Sequence, residues 1–515
     1  MRRSSAIRPV VISAIVLAVI LVPLCLLWGP QMAHALYRMF TAGLFVVVPL
    51  FVGAVLLIAA SVTTGAARGT SVAVLVLGAL ATTAFAWVPH NYQVDRHYVG
   101  DVKMVNHTAP SFGDRAPYQV ASTSSTKNLG NTTGQAESVK SLNDQADNGL
   151  WTALVVRRGV WVGYESVQVQ DMPLFGQTEP DQVTTCAFPK TSSLRIGGSL
   201  PKNSLTRAIY AATPPAVKFD AGDAYGYCDG KSPKVVVPLT EVKGAWTVSE
   251  DYFGDAVYDG KTGKVTIVTD SEKVNAIPGP VYPQSLAARQ RTALTALGSF
   301  SDYFFHRTGY ETTADDSDNP DSFNPTEIGL RQVSNDHATY VTPLTPPGSS
   351  TSVVALSVVD ASTGKTGDRN TLTVFKYADG HARQANSSVA SNIKQSTSWL
   401  PDWASGIKIF EIVPGKKDEW VASIGQSQGV VYRAVIDAKG KATLYDESGD
   451  VVTRTGAQTP SNGDTDGDTT GAANGDLSKM TPAQLQNLAD RVLSELTKRA
   501  ESAPTPTSSP TPKSK

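Results

Sequence analysis

The chain has 515 residues, a formal net charge of −1 and a mean hydropathy close to zero. These averages are those of an ordinary soluble protein, and no basic patch with interleaved aromatic residues indicates a nucleic-acid-binding protein. The averages hide an uneven distribution, because the apolar residues are concentrated in the first ninety positions.

Three uncharged apolar segments predict transmembrane helices at 10–28, 42–62 and 71–88. Each is about as long as a helix must be to cross a hydrocarbon core of roughly 30 Å. A buried helix of a globular domain is rarely apolar on every face over such a length. The segments therefore predict an integral membrane protein.

The positive residues near these segments predict their orientation. Four arginines precede the first segment or separate the second from the third, namely Arg2, Arg3, Arg8 and Arg68. The positive-inside rule then predicts a plasma-membrane protein with a cytoplasmic N-terminus and with residues 91–515 extracytoplasmic. In the alternative, the first segment is a signal peptide cleaved near Ala33-His34-Ala35, and residues 91–515 stay on the same side.

Two of the three cysteines lie in the predicted exported region. Cys186 and Cys228 are the candidate structural disulfide, which would stabilise the fold by roughly 4 kcal/mol on the chain-entropy model. The alternative is a pair of unrelated buried thiols. Neither belongs to a C-x-x-C pair, so the spacing predicts no zinc or thioredoxin-like site.

After the apolar segments the sequence predicts an α+β fold of duplicated modules, each a helix followed by an antiparallel meander. The predicted order is a polar stalk at 91–150, module 1 at 151–280, module 2 at 281–380 and a degenerate module 3 at 381–455. A flexible acidic linker at 456–476, an amphipathic helix at 477–501 and a disordered tail at 502–515 complete the chain.

Two motifs recur in order and indicate an internal duplication. Val236-Val-Pro-Leu-Thr240 recurs as Val341-Thr-Pro-Leu-Thr345, and Asp259-Gly-Lys-Thr-Gly-Lys264 recurs as Asp360-Ala-Ser-Thr-Gly-Lys365. Asp and Thr bond to nearby backbone in turns, and Gly accepts a positive φ. The second motif therefore predicts hairpin turns at Asp259, Thr262 and Gly263 and at Asp360, Thr363 and Gly364. A degenerate third turn is predicted at Asp437-Ala-Lys-Gly-Lys441.

Candidate helices precede the hairpins at 203–212, 283–306 and 383–399. A helix followed by strands and a closing Asp-x-x-Thr-Gly-Lys hairpin resembles the PepSY-like domains of bacterial envelope proteins, over residues 203–268 and 283–375. The resemblance implies an extracytoplasmic α+β module that acts by binding rather than by catalysis. It supplies no catalytic residue.

The predicted helix at 477–501 begins with a capping box, Thr481-Pro-Ala-Gln484. Its apolar side chains recur at helical spacing and form a candidate partner-docking stripe: Leu485, Leu488, Val492 and Leu496. A helix of this length is marginal alone, so the stripe is expected to dock on its own domain or on a partner chain.

No motif predicts catalysis, a cofactor or a metal site. Gly425-Gln-Ser-Gln-Gly429 matches the nucleophile-elbow pattern, but the following apolar run is typical of a strand and not of the required helix. The acidic run at 315–321 is typical of a solvated loop, and His90, His97 and His107 have no metal-ligand spacing.

The sequence therefore predicts a non-enzymatic, membrane-anchored binding or assembly module of the bacterial cell envelope. Its predicted partners are the lipid bilayer and an envelope or membrane protein, with no nucleic acid. The alternatives are an extracytoplasmic hydrolase whose site is assembled from distant residues, and a subunit of a transport or DNA-transfer complex.

Overall fold

The structure is a computed structural model that describes residues 28–41 and 89–453 apart from gaps, and a few isolated positions between 51 and 78. The gaps are 107–108, 130–133, 143–149, 158, 160–161, 176–181, 199, 246, 313–327, 335–336, 349–351, 379–381, 417–418 and 427–428. The predicted linker, C-terminal helix and tail, with Leu485, Leu488, Val492 and Leu496, lie outside the described residues.

The structure corrects the predicted fold class. The chain is mostly β-sheet, and its complete helices are short. None of the helices in the described part of the chain is long and apolar enough to span a bilayer. This finding contradicts the three transmembrane helices, the plasma-membrane location and the predicted topology, although most of 10–28, 42–62 and 71–88 falls outside the described residues. Hydropathy reports only the average apolarity of a segment and not where its side chains pack.

Sheet I follows helix α1 (Tyr118–Lys127) and is a meander of four antiparallel strands in sequence order. Its strands are β2 (Gly134–Ser141), β3 (Leu150–Arg157), β4 (Tyr164–Asp171) and β5 (Gln182–Ala187). Six consecutive residues of β3 are buried, because both faces of the sheet are covered. Strand β1 (Val102–Val105) precedes α1, so the region predicted as a polar stalk contains regular structure.

Sheet II follows helix α2 (Leu205–Ala212), which Ser204 caps by accepting a hydrogen bond from the Arg207 N–H. Its strands are β6 (Val217–Lys218), β7 (Tyr225–Asp229), β8 (Ser232–Lys243), β9 (Ser249–Asp259) and β10 (Lys264–Val268). Two helices then lead to the next sheet, α3 (Ser271–Asn275) and α4 (Gln284–Thr292).

Sheet III contains six strands and draws one of them, β1, from far upstream. The others are β11 (Glu311–Thr312), β12 (Ile328–Arg331), β13 (Ala338–Thr345), β15 (Ala355–Asp360) and β16 (Leu372–Lys376). Strand β1 pairs in parallel with β16, whereas all other pairs in the sheet are antiparallel.

Sheet IV follows helix α5 (Asn386–Ser396) and is a second four-stranded meander. Its strands are β18 (Lys408–Pro414), β19 (Trp420–Gln426), β20 (Gly429–Ile436) and β21 (Ala442–Tyr445). A separate two-stranded pair, β14 (Ser352–Val353) with β17 (Arg383–Gln384), lies in the chain between sheets III and IV.

Sheets II and III share a strand order. In each, a long central strand (β8 or β13) pairs with two short strands on one side and with one longer strand on the other. Val236 pairs with Tyr225 in β7, and Val341 pairs with Ile328 in β12. The two recurring apolar motifs, Val236–Thr240 and Val341–Thr345, therefore occupy equivalent stretches of the two central strands.

Three apolar clusters join the sheets. Leu154 and Val156 of β3 pack with Val235 and Val237 of β8, which joins sheets I and II. Gly226 lies in this contact, where a Cβ atom would come within 2.7 Å of the Leu154 side chain. Glycine is needed there because the two sheets approach so closely.

The other two clusters join the remaining sheets. Trp151 of β3 packs with Val120 of α1 and with Phe410 of β18, which joins sheets I and IV. Tyr252 of β9 packs with Tyr340 of β13, which joins sheets II and III. The four sheets are thus held within one compact unit, Met1–Val451.

One arginine connects helical residues 89–99 to sheets II and III. The Arg369 guanidinium donates hydrogen bonds to Asp101, to Asp251 and to the His97 carbonyl, at 2.6, 2.6 and 2.7 Å. It also lies over the Tyr98 ring, with 4.9 Å between Cζ and the ring centroid. Because Arg369 follows β15, it ties the loop of one sheet to a strand of the other.

Tyr98 is held from both faces and at its hydroxyl. The Arg289 guanidinium of α4 lies 4.7 Å from the ring centroid, and Arg289 pairs with Asp95 at 2.6 Å. The Tyr98 hydroxyl accepts a hydrogen bond from the Glu250 N–H at 3.0 Å. Burial raises the pKa of Tyr98 to about 12, so the ring stays neutral and rich in π-electron density.

Replacing this arginine is expected to destabilise the whole unit. We expect Arg369→Gln to lower the free energy of unfolding by about 1.5–3 kcal/mol, because Asp101 would lose its guanidinium partner, whereas Asp251 keeps its pair with Lys243 at 2.7 Å. Urea unfolding followed by tryptophan fluorescence measures the change. The control is Lys365→Gln in the same loop, whose exposed pair with Asp368 is screened by solvent and whose loss should leave the midpoint unchanged.

Candidate functional site

The first predicted turn closes the β9–β10 hairpin. Asp259 Oδ1 accepts hydrogen bonds from the N–H groups of Lys261 and Thr262, at 2.8 and 3.3 Å. Gly263 has a φ of +72°, and its N–H donates to the Asp259 carbonyl. The degenerate third turn has the same chemistry, since Asp437 Oδ1 accepts from the Lys439 N–H at 2.9 Å.

The second predicted turn is not a tight hairpin. Asp360 Oδ1 accepts a hydrogen bond from the Ser362 N–H at 2.9 Å, but β16 begins only at Leu372. The Thr363 carbonyl accepts from the Asn370 side chain, and Gly364 lies against the Tyr252 ring, where a Cβ atom would overlap it. The segment therefore serves as a docking loop between sheets III and II.

Asp360 also pairs with a histidine. The distance from His337 Nδ1 to Asp360 Oδ2 is 2.7 Å, and both side chains are partly exposed. A histidine oriented by a carboxylate is one element of many hydrolytic sites. Here the second carboxylate oxygen accepts hydrogen bonds from Ser362, which gives Asp360 a turn-forming role.

Cys186 and Cys228 form a disulfide in the structure. Cys186 of β5 and Cys228 of β7 are bonded, with 6.0 Å between their Cα atoms. Because these strands belong to sheets I and II, the bond lies beside the apolar contact that already joins the two sheets.

The remaining sequence motifs are not brought together. Strand β20 begins at Gly429, directly after the glycine-rich segment, where a nucleophile elbow needs a helix. Ser427, His107 and the acidic run 315–321 lie outside the described residues. In the described part of the chain, no group of three or more His, Cys, Asp or Glu side chains is placed to hold a metal ion.

Two buried carboxyl groups lie in sheet II or beside it. Asp255 is fully buried, accepts a hydrogen bond from the Tyr252 hydroxyl at 2.6 Å, and has its pKa raised by burial to about 8. Asp223 accepts from the Ser285 N–H and hydroxyl at 3.0 and 2.5 Å, and burial raises its pKa to about 6. Asp255 Oδ1 and the Tyr225 hydroxyl find no hydrogen-bond partner among the described residues.

Two concave surfaces lie near sheet IV. An uncharged groove of about 530 Å³ follows α5, lined by Gln384, Ser387, Ser388, Ser391, Asn392 and Gln395. A smaller cleft of about 250 Å³ contains Arg433, which pairs with Asp114 at 2.8 Å and lies over Phe175. Both present groups that can donate and accept hydrogen bonds, and neither gathers a nucleophile with a base.

An exposed group of aromatic side chains lies between α4 and sheet III. Phe300, Phe304 and Phe305 are 39, 49 and 72 % exposed. Phe300 stacks on Phe304 at 6.1 Å between ring centroids, Phe304 meets Phe305 edge-on at 4.8 Å, and Tyr92 meets Phe300 at 5.5 Å. We call these four residues the aromatic surface.

Local sequence explains how the aromatic surface forms. Ser299 and Asp302 bond reciprocally, each accepting from the other's backbone N–H, which begins a short π-helix at Asp302–His306. Arg307 ends it in the left-handed region at a φ of +47°, a costly conformation for a residue with a Cβ atom. The predicted helix 283–306 is thus broken, and the break turns Phe304 and Phe305 outward.

Sequence reasoning missed this surface because it treated 283–306 as one continuous candidate helix and did not place the phenylalanines. The signals available were the Ser299-x-x-Asp302 cap and the run Tyr303-Phe-Phe-His306 directly after it. No known protein family, curated protein or solved structure matches the chain.

The buried carboxyl group makes a pH-dependent prediction. The pKa of Asp255 is higher in the folded chain than in the unfolded chain, so the folded state binds the proton more tightly. The stability that protonated Asp255 contributes to the folded state is complete below pH 4 and is lost as the pH rises through 8. The free energy of unfolding falls by about 1.4 kcal/mol per pH unit between pH 6 and 8. We expect Asp255→Asn, which keeps an acceptor for Tyr252, to abolish that loss in urea unfolding. An equal slope in both proteins would contradict the assignment.

The disulfide makes a second prediction. Its cysteines are 42 positions apart, so removing the crosslink is expected to lower the free energy of unfolding by about 4 kcal/mol. The double variant Cys186→Ser with Cys228→Ser, compared with the oxidised chain by calorimetry, measures this loss. Adding a reductant to the wild type should reproduce it, and adding reductant to the variant should change nothing.

Proposed function

We infer that the chain is a non-enzymatic binding or assembly protein and that a partner protein binds at the aromatic surface. The observation that carries this proposal is a row of exposed phenylalanine rings at a π-helical turn that ends in a left-handed residue. Phe300 contacts Phe304, and Phe304 contacts Phe305. Contiguous exposed apolar patches mark interaction sites, and both π-helical turns and strained residues concentrate at functional positions.

The backbone beside the aromatic surface is held by hydrogen bonds, and a held backbone is suited to binding. The Tyr92 hydroxyl donates to the Gly298 carbonyl, and Arg96 of the same helix donates to the Ala296 carbonyl. The helical segment 89–99 that carries both is fixed at its other end by Tyr98 between two guanidinium groups. The phenylalanines are therefore presented on a held backbone, which reduces the entropy lost on binding.

The charges near the surface indicate the chemistry of the partner. Arg96 and Arg307 flank the phenylalanines, and Asp302 is engaged by Ser299 and His306. The partner that fits best offers apolar side chains flanked by carboxylates. The implied PepSY-like relationship, whose members are thought to act by binding, stays a prediction.

Site-specific photo-crosslinking in intact cells tests the proposal. A photoreactive phenylalanine analogue at position 305 is expected to give a discrete adduct, whereas the same analogue at Val333, which is 51 % exposed, is not. Adding Phe304→Ser to the 305 protein should reduce the adduct strongly, because losing a central aromatic contact costs about 2 kcal/mol, roughly thirtyfold in affinity.

The controls separate binding from folding. Phe304 is half exposed, so Phe304→Ser should leave the thermal midpoint unchanged. The proposal fails if positions 305 and 333 give the same adducts, if neither gives any, or if Phe304→Ser leaves the adduct intact.

A further inference from the structure

A buried histidine of the helical segment 28–41 contacts α2 and sheet II. His34 is 1 % exposed, and its ring stacks on Tyr210 of α2 with 4.2 Å between centroids. Nδ1 lies 2.7 Å from the Val217 carbonyl oxygen, and Nε2 lies 3.1 Å from the Tyr210 carbonyl oxygen. The imidazole therefore bridges the end of α2 and the start of β6.

Both partners of the ring nitrogens are hydrogen-bond acceptors. A carbonyl oxygen only accepts hydrogen bonds, so each contact needs an N–H group on the histidine. A neutral imidazole has one N–H group, and the imidazolium has two. In the neutral form one ring lone pair would face a carbonyl lone pair inside the protein. The observed geometry is satisfied in full only by the imidazolium.

The position of Tyr210 favours that charge as well. Its carbonyl belongs to the last turn of α2 (Leu205–Ala212), where carbonyl groups lack intrahelical partners and the helix dipole attracts a cation. Thr213 ends the helix and donates to the Ile209 carbonyl, which leaves the Tyr210 carbonyl for His34.

Several charged or titratable groups lie on the elements around the ring. On the segment itself, Arg38 donates to the His34 carbonyl at 3.3 Å and to the Tyr210 phenol, so it is a second contact between the segment and α2. This contact lowers the pKa of the Tyr210 phenol, which burial raises overall. On the neighbouring elements they are Arg207 and Tyr210 of α2, Lys218 of β6, Glu241 of β8 and Glu250 of β9. Lys218 is paired with Glu250, and Glu241 lies opposite Val217.

We propose that His34 is a pH-sensitive latch that holds segment 28–41 on α2 and β6 when its ring carries both protons. Loss of one proton removes one of the two hydrogen bonds and turns that contact into a repulsion. Because imidazole is the side chain that changes charge between pH 5 and 8, the segment is held at the acidic end of that range and released at the alkaline end.

Hydrogen exchange of the full-length chain, read by mass spectrometry and corrected for the intrinsic pH dependence of exchange, tests the latch. In the wild type, protection of residues 28–41 and 213–218 is expected to fall at least tenfold between pH 5 and pH 8. In His34→Gln, which cannot take up a proton, protection should be low and equal at both pH values. His306→Gln, at an exposed histidine, should behave as the wild type.

Protection of residues 232–243 in β8 serves as the folding reference and should be unchanged in His34→Gln. The latch is refuted by equal protection of segment 28–41 at both pH values in the wild type, whether high or low. It is also refuted if His34→Gln keeps the wild-type pH dependence, since another group would then control docking.

Discussion

The architecture depends on how Arg369 and Arg289 enclose Tyr98. The two guanidinium groups lie over the ring at 4.9 and 4.7 Å and pair with carboxylates from separate elements. Sheets II and III meet there with helical residues 89–99. An apolar contact alone would tolerate sliding of one sheet over the other, whereas guanidinium groups that pair with carboxylates and lie over an aromatic ring fix both distance and direction. The ring and its arginines thus set the relative placement of sheets II and III.

Other polar groups at the sheet junctions also fix the placement of the sheets, and burying them lowers the stability of the fold. Arg115 and Glu411 form a buried pair between the segment before α1 and β18, and burial raises the pKa of Glu411 despite that partner. Asp255 lies in the junction of sheets II and III with one oxygen unpaired among the described residues. Apolar residues of similar size would often be at least as stable at such positions. We interpret these groups as determinants of one sheet arrangement among several that apolar packing permits.

The sequence predicted well what short-range chemistry decides, and poorly what long-range packing decides. The turn at Asp259 follows from an aspartate that bonds its own backbone and a glycine at positive φ. The near-identical motif at Asp360 forms a longer loop, because Gly364 and Arg369 dock on another sheet and draw the chain away from a tight turn. No local pattern reveals that docking. The aromatic surface escaped prediction for a related reason, since the π-helical break depends on the left-handed Arg307.

Two segments that precede the first sheet dock on the same compact unit with different chemistry. Residues 89–99 are held through Tyr98, Asp95 and main-chain groups that contact two arginines, and arginine keeps its charge at every physiological pH. Residues 28–41 are held at a buried imidazole, and imidazole does not keep its charge at every physiological pH. A change of pH therefore acts on the imidazole contacts of the first segment and leaves the arginine contacts of the second in place. Because Tyr92 belongs to the second segment, these arginine contacts support the aromatic surface whether or not segment 28–41 is docked.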